Sequence, residues 1–138
     1  MEKTLTILKP DAVKAGDMGA IISHLQKEGF RVRAMKMLHL SEAEAQGFYH
    51  VHKQRPFFGS LVKFMTEGPI VPMVLEADNA IEKLRKVMGA TDPAKADTGT
   101  IRKQFGTNIE RNAIHGSDAP ETAAFEISYF FSQLEVVG

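Results

Sequence analysis

Apolar and polar positions along this 138-residue chain repeat with two periods, and the switches between them mark out its elements. Thr4-Leu5-Thr6-Ile7-Leu8 alternates with period two and predicts a strand. Lys9-Pro10-Asp11 ends it, because proline cannot donate to a ladder and holds the preceding residue extended. Met18, Ile21, Ile22 and Leu25 recur at helical spacing and predict a helix over Met18 to Glu28, closed by Gly29. Phe30, Val32, Ala34, Leu38 and Leu40 then alternate with Arg31, Arg33 and His39, a second strand whose pattern breaks once at Lys36. Ser41-Glu42-Ala43-Glu44 has capping-box spacing and opens a helix to about His50. Phe58 to Thr66 reads as another helix, closed by Gly68-Pro69. Ile70 to Glu76 is apolar on both faces and predicts a third strand, with Pro72 near its start.

Asn79 and Glu82 repeat the capping-box spacing ahead of a helix whose stripe is Ala80, Ile81, Leu84 and Met88 and whose end is Gly89. Ala90 to Ile109 is polar, with one helical turn at most around Thr100 to Phe105. A loop of that length inside a compact domain is usually functional. Ala113 to His115 predicts a short last strand. Asp118 is the expected N-cap of a final helix that has Pro120 and Glu121 in its first turn and runs to about Phe131. Setting aside the helical pair and the last helix, the order is βαββαβ. The expected fold is therefore α+β and ferredoxin-like: a four-stranded antiparallel sheet with two helices on one face, plus the inserted pair and the C-terminal helix. By length, residues 1–138 form a single domain.

Composition narrows the function. Hydrophobic residues at 43% and charged residues at 25% suit a soluble globular protein. Lys+Arg and Asp+Glu are both 17, which argues against bulk electrostatic grip on nucleic acid but allows a local basic pocket. The absence of cysteine rules out disulfides and thiolate metal sites and points to the reducing cytoplasm. Met1-Glu2-Lys3-Thr4 leads straight into the first strand without a signal-peptide pattern, and the longest apolar stretch, Ile70 to Leu75, is too short for a bilayer.

The segment Asn112-Ala113-Ile114-His115-Gly116-Ser117-Asp118 is the richest in chemistry. It puts an imidazole on a short apolar strand just before a helix start, where free N–H groups and a positive dipole end suit work on a phosphate. The other histidines, His24, His39, His50 and His52, fall on polar faces. Glu126 shares a helix face with Ala123, Ile127 and Phe130. A carboxylate in an apolar stripe is costly unless it is paired, and His115 is the candidate partner; the alternative is that Glu126 reaches water at the stripe's edge. Lys9, at the end of the first strand, is a possible phosphate contact, and Arg85 and Arg102, which flank the long loop, could clamp an anion together with Thr91. Arg55-Pro56-Phe57-Phe58-Gly59 sets two aromatics beside a turn, either for the core or for a nucleobase. Ferredoxin-like sheets also present strand aromatics to RNA, but strands one and three here have none, so no dedicated nucleic-acid site is expected.

The chain resembles nucleoside diphosphate kinases from end to end. The resemblance rests on Ile7-Leu8-Lys9-Pro10-Asp11-Ala12-Val13, Phe48-Tyr49 with His52-Lys53, Arg55-Pro56-Phe57-Phe58-Gly59, Gly89-Ala90-Thr91, Gly99-Thr100-Ile101-Arg102 and Asn112 through Asp118, in that order. It implies ping-pong transfer of a γ-phosphoryl group from a nucleoside triphosphate to a nucleoside diphosphate, with His115 as nucleophile. On the same resemblance Glu126 orients the imidazole, Ser117 bonds nearby and Tyr49 contacts the transferring phosphate. Arg85, Thr91 and Arg102 hold the phosphates; Lys9 and Asn112 contact the sugar hydroxyls, with Lys9 also near the transferring group; Phe57 stacks on the base. Mg²⁺ would ride on the nucleotide phosphates, and the chain would assemble as a homotetramer or homohexamer. Three features depart from the usual pattern: Thr98, Lys103-Gln104 and Pro72. No Gly-x-x-x-x-Gly-Lys-Ser/Thr loop is present, so this is not a P-loop enzyme.

Overall fold

β1 (Glu2–Leu8) is the hub of the sheet. In the computed structural model, which describes residues 1–138, β2 (Arg31–Met35), β3 (Val71–Ala77) and β4 (Ile114–Gly116) join it in the order β2-β3-β1-β4, every pairing antiparallel. Between them run α1 (Pro10–Lys14), α2 (Met18–Lys27), α3 (Glu42–Phe48), α4 (Phe58–Met65), α5 (Ala80–Met88), α6 (Ile101–Phe105) and α7 (Pro120–Phe130).

Both faces of the sheet are covered. On one, Leu8, Met73 and Leu75 pack with Ile21 and Leu25 of α2 and Leu84 and Met88 of α5. These are the two helices of the βαββαβ unit. On the other face, Leu5, Ile7 and Val74 pack with Phe48 of α3, Val62 and Met65 of α4 and Phe130 of α7. The inserted pair and the last helix therefore seal the face that a bare ferredoxin-like unit leaves open, which is why β3, a central strand, is apolar on both sides. Each fully buried Leu or Ile contributes roughly 1.5–3 kcal/mol.

Several local expectations are corrected. Lys9-Pro10-Asp11 does more than stop a strand: Pro10 occupies the first position of α1, where its fixed φ suits a helix and its missing N–H costs nothing. β2 ends at Met35; beyond it the pairing continues through one Lys36–Pro72 hydrogen bond and the isolated bridge Leu38–Ile70. Pro72 is the second residue of β3, and its carbonyl accepts from Lys36 N–H (3.2 Å). Its missing donor faces that same edge, where β2 has ended, so the central strand tolerates it. The Ser41–Glu44 capping box is present in both directions. The one expected at Asn79 is not. Asn79 lies in the left-handed region (φ 51), and the Glu2 carboxylate reaches from β1 to accept from Ile81 N–H (2.9 Å). Nor does Asp118 cap α7. Ala119 holds the N-cap position, and Asp118 accepts from the Thr122 hydroxyl instead (2.8 Å).

These caps separate by mutation. Glu2→Ala is expected to lower stability by about 1 kcal/mol, the usual worth of a helix cap, whereas Glu82→Ala is expected to cost less than half of that. Urea denaturation of the two variants checks the difference.

Candidate active site

His115 sits at the middle of β4, opposite Ile7, so its ring lies on the face shared by α3, α4 and α7. The Thr6 hydroxyl donates to the His115 carbonyl (2.7 Å), and the edge of the imidazole meets the Phe48 ring at 5.7 Å. α7 brings Glu126 beside it. One carboxylate oxygen, Oε1, receives both His115 Nε2 (2.9 Å) and the Ser117 hydroxyl (2.7 Å). The Glu126 side chain is only 8% exposed, so two hydrogen bonds compensate a charge taken out of water. What α7 presents to the histidine is thus this carboxylate in its second turn. With Nε2 carrying the proton toward Glu126, the lone pair of a neutral ring belongs to Nδ1. The Tyr49 hydroxyl is buried near the same carboxylate. Burial, reinforced by Glu126, raises its pKa, so it stays a phenol and a donor.

A second group of polar side chains lies where β1 and β4 end. Lys9 Nζ donates to Asn112 Oδ1 (2.8 Å), and Asn112 Nδ2 donates to the Thr91 carbonyl (3.0 Å). Burial, with help from Arg102, brings the Lys9 ammonium down to about 8, against the opposing pull of Asp11 and Glu110. Arg102 closes the open edge of β4. Its guanidinium donates to the carbonyls of Ile114 (2.8 Å) and Gly89 (3.1 Å), while Nε is buried without a partner. Burial and the neighbouring Arg85 lower its pKa to about 10, which leaves it charged at neutral pH.

Arg85 and Thr91 are exposed and line a cleft of about 610 Å³ together with Arg102 and Gly116. Four cations border it (Arg85, Lys86, Lys95, Arg102) against two carboxylates (Asp97, Asp118), a donor set suited to a polyanion. Phe57 stands apart. It is 48% exposed at the N-cap of α4, its ring 5.6 Å from that of His52, and no hydrogen bond or ring contact joins it to the other groups. Nine of the ten residues expected at the site are therefore drawn together around β4 and the cleft beside it. The supporting roles of Thr6, Phe48 and the Gly89 carbonyl were not read from the sequence; only Phe48, next to Tyr49, carried a signal that could have found it.

An imidazole braced by a buried carboxylate, with a cationic cleft beside the next residue, Gly116, is an arrangement suited to a phosphoryl-transfer enzyme. Comparison with known proteins agrees. The family model described as nucleoside diphosphate kinase matches residues 2–136. The chain is 57% identical over 138 residues to the nucleoside diphosphate kinase of Desulforapulum autotrophicum, covering all of both chains. Among solved structures it superposes on the Aquifex aeolicus nucleoside diphosphate kinase with a TM-score of 0.96, at 47% identity and 99% of each chain. It superposes on the Halobacterium salinarum enzyme in complex with CDP with a TM-score of 0.95, at 38% identity, covering 99% of this chain and 91% of that one. The chain belongs to the nucleoside diphosphate kinase family, enzymes that move phosphoryl groups between nucleotides. No helix is long and apolar enough to cross a membrane.

The buried lysine gives a pH test. The folded state holds Lys9 at about 8 and the unfolded chain at about 10.5, so between these values the unfolded state binds more protons. Stability then rises with pH across that window: the cost of a buried ammonium is fully present below about 8 and relieved above it, by a few kcal/mol at most. Without nucleotide, the native protein is expected to gain stability from pH 8 to 10 relative to Lys9→Met. Parallel denaturant titrations check it.

Proposed function

We propose that this enzyme transfers the γ-phosphoryl group through a phosphohistidine on His115. The Nδ1 lone pair attacks the γ-phosphorus; an N–P bond forms as the bond to the β-phosphate oxygen breaks, and the nucleoside diphosphate leaves with that electron pair. An acceptor diphosphate then attacks the phosphohistidine and the steps reverse. The observation that carries this reading is the Glu126–His115 bond at Nε2, which holds the proton away from the attacking nitrogen.

The remaining residues stabilise charge in a loose transition state, where positioned donors do most of the work. Tyr49 and Arg102 each bury a donor that has no protein partner, and both suit an anionic oxygen. Arg85, Thr91 and Arg102 hold the phosphates, Lys9 and Asn112 take the sugar hydroxyls, Lys9 also serves the transferring group, and Phe57 stacks on the base. That the Halobacterium salinarum relative was solved with CDP supports a nucleotide here. Mg²⁺ would be carried by the nucleotide phosphates and would neutralise their charge there; the predominantly cationic cleft fits the anionic ligand better than a bare metal. The protein works in the cytoplasm, as a chain without cysteine suits, and as a homo-oligomer. Support for assembly comes from Met35 and Met37, both 54% exposed beside the sheet-edge strand β2. Mass by light scattering tests for a tetramer or a hexamer.

Incubation with γ-labelled ATP and Mg²⁺ is expected to give an acid-labile, base-stable phosphoprotein, and His115→Ala to abolish label and transfer while the fold persists. An unlabelled native protein, or substantial activity in that variant, overturns the assignment. Tyr49→Phe, which removes one buried donor, is expected to lower kcat by about 10²-fold in steady-state assays.

A further inference from the structure

The turn that feeds β4 is bent against the preference of its residue. Ala113 has φ 74, in the left-handed region that residues other than Gly, Asn and Asp rarely adopt. Ile114 N–H donates to the Asn112 carbonyl (2.9 Å) and closes a three-residue turn about Ala113, the strained hand of that turn. Asn112 on one side of it faces Lys9 and Thr91, while His115, two residues after Ala113, faces Glu126. A relaxed turn would send at least one of them elsewhere.

Two contacts hold Ala113. Its carbonyl accepts from Lys9 N–H (2.9 Å), and its N–H donates to Asp11 Oδ2 (3.0 Å). Asp11 is the second residue of α1, which starts directly where β1 ends, so a short rigid path links the carboxylate to the sheet. Its other oxygen, Oδ1, is buried without a hydrogen-bond partner, so the carboxylate is committed to this one bridge across the sequence.

We infer that Asp11 is a positioning residue for phosphoryl transfer: its carboxylate clamps the left-handed turn at Ala113 and so aims the His115 imidazole. The inference rests on His115 being the phosphoryl acceptor. The competing role for Asp11 is an ordinary acid in the first turn of α1, acting by charge on the helix dipole. The two roles separate because asparagine keeps an oxygen acceptor for Ala113 N–H and loses the charge.

The test is rapid-quench labelling from γ-labelled ATP and Mg²⁺, with His115→Ala as blank. Asp11→Ala is expected to label about 10²-fold more slowly than the native protein, the scale of a 1 Å misplacement, and Asp11→Asn within about threefold of it. An Asp11→Ala variant that labels at the native rate, or an Asp11→Asn variant as slow as Asp11→Ala, overturns the clamp. Should Asp11→Ala not fold, Asp11→Ala/Ala113→Gly takes its place. Glycine adopts this turn unaided, so the double variant is expected within about tenfold of native, and a rate about 10²-fold lower overturns the proposal. If the native protein takes no label, the nucleophile reading fails and not the clamp. Amide exchange at Ala113, expected to be faster in Asp11→Ala than in Asp11→Asn, then decides the clamp by itself.

Discussion

A single carboxylate oxygen organises this molecule's chemistry. Glu126 Oε1 is buried and receives the imidazole Nε2 and the Ser117 hydroxyl at once. Either bond alone would leave a charge poorly compensated out of water, at a cost of several kcal/mol. Both donors come from the strand-to-helix connection beginning at β4, and the acceptor comes from α7, so the charge can be satisfied only when the helix is seated on the sheet. The same contact that docks α7 decides which nitrogen of His115 keeps its lone pair. Folding and tautomer selection are therefore one event, and for the proposed attack the ring would need no reorganisation.

Around that centre the protein holds positive charge in places that do not favour it. Lys9 and Arg102 are buried, and burial lowers the pKa of both. Neither has a carboxylate as its direct hydrogen-bond partner: Lys9 is held by an amide oxygen and Arg102 by two backbone carbonyls. Those partners orient a cation without neutralising it, which leaves its field available to an anion. By contrast, the buried carboxylate of Glu76 meets both Lys3 (3.1 Å) and Arg33 (2.8 Å). The contrast marks the site electrostatically: stability is given up locally where charge must remain unsatisfied.

How far the sequence carried the description depends on the range of each interaction. Glu126 was legible because a carboxylate in an apolar stripe violates local periodicity, and the violation pointed to a partner. Strand and helix positions were legible for the same reason. Interactions that join distant segments through backbone groups were not. The cap on α5 comes from Glu2, 79 residues before Ile81, although Asn79 stood in the expected place. Asp118 had the right chemistry to cap α7, but its backbone lies outside the cap, and Ala119 takes that position. β4 was expected to begin at Ala113, and it begins one residue later because Ala113 carries a left-handed φ that no propensity of alanine suggests. Pro72 conflicted with a central strand only while the end of β2 was unknown.

The uneven construction of the site bears on what it discriminates. The side chains proposed for the phosphates come from α5, the turn after it and α6, helices anchored by the fully buried Leu84 and Ile101. The side chain proposed for the base, Phe57, is half exposed at a helix N-cap, where its ring meets that of His52. A hydrogen-bonding pocket rejects a wrong base because it leaves buried polar groups unpaired, whereas an aromatic face offers every base the same stacking surface. On the proposed assignment, recognition would concentrate on phosphates and sugar, with stacking alone at the far end, and the transferred group would be the specific part of the substrate. The base would then be interchangeable, which suits the family's transfer of phosphoryl groups between nucleotides.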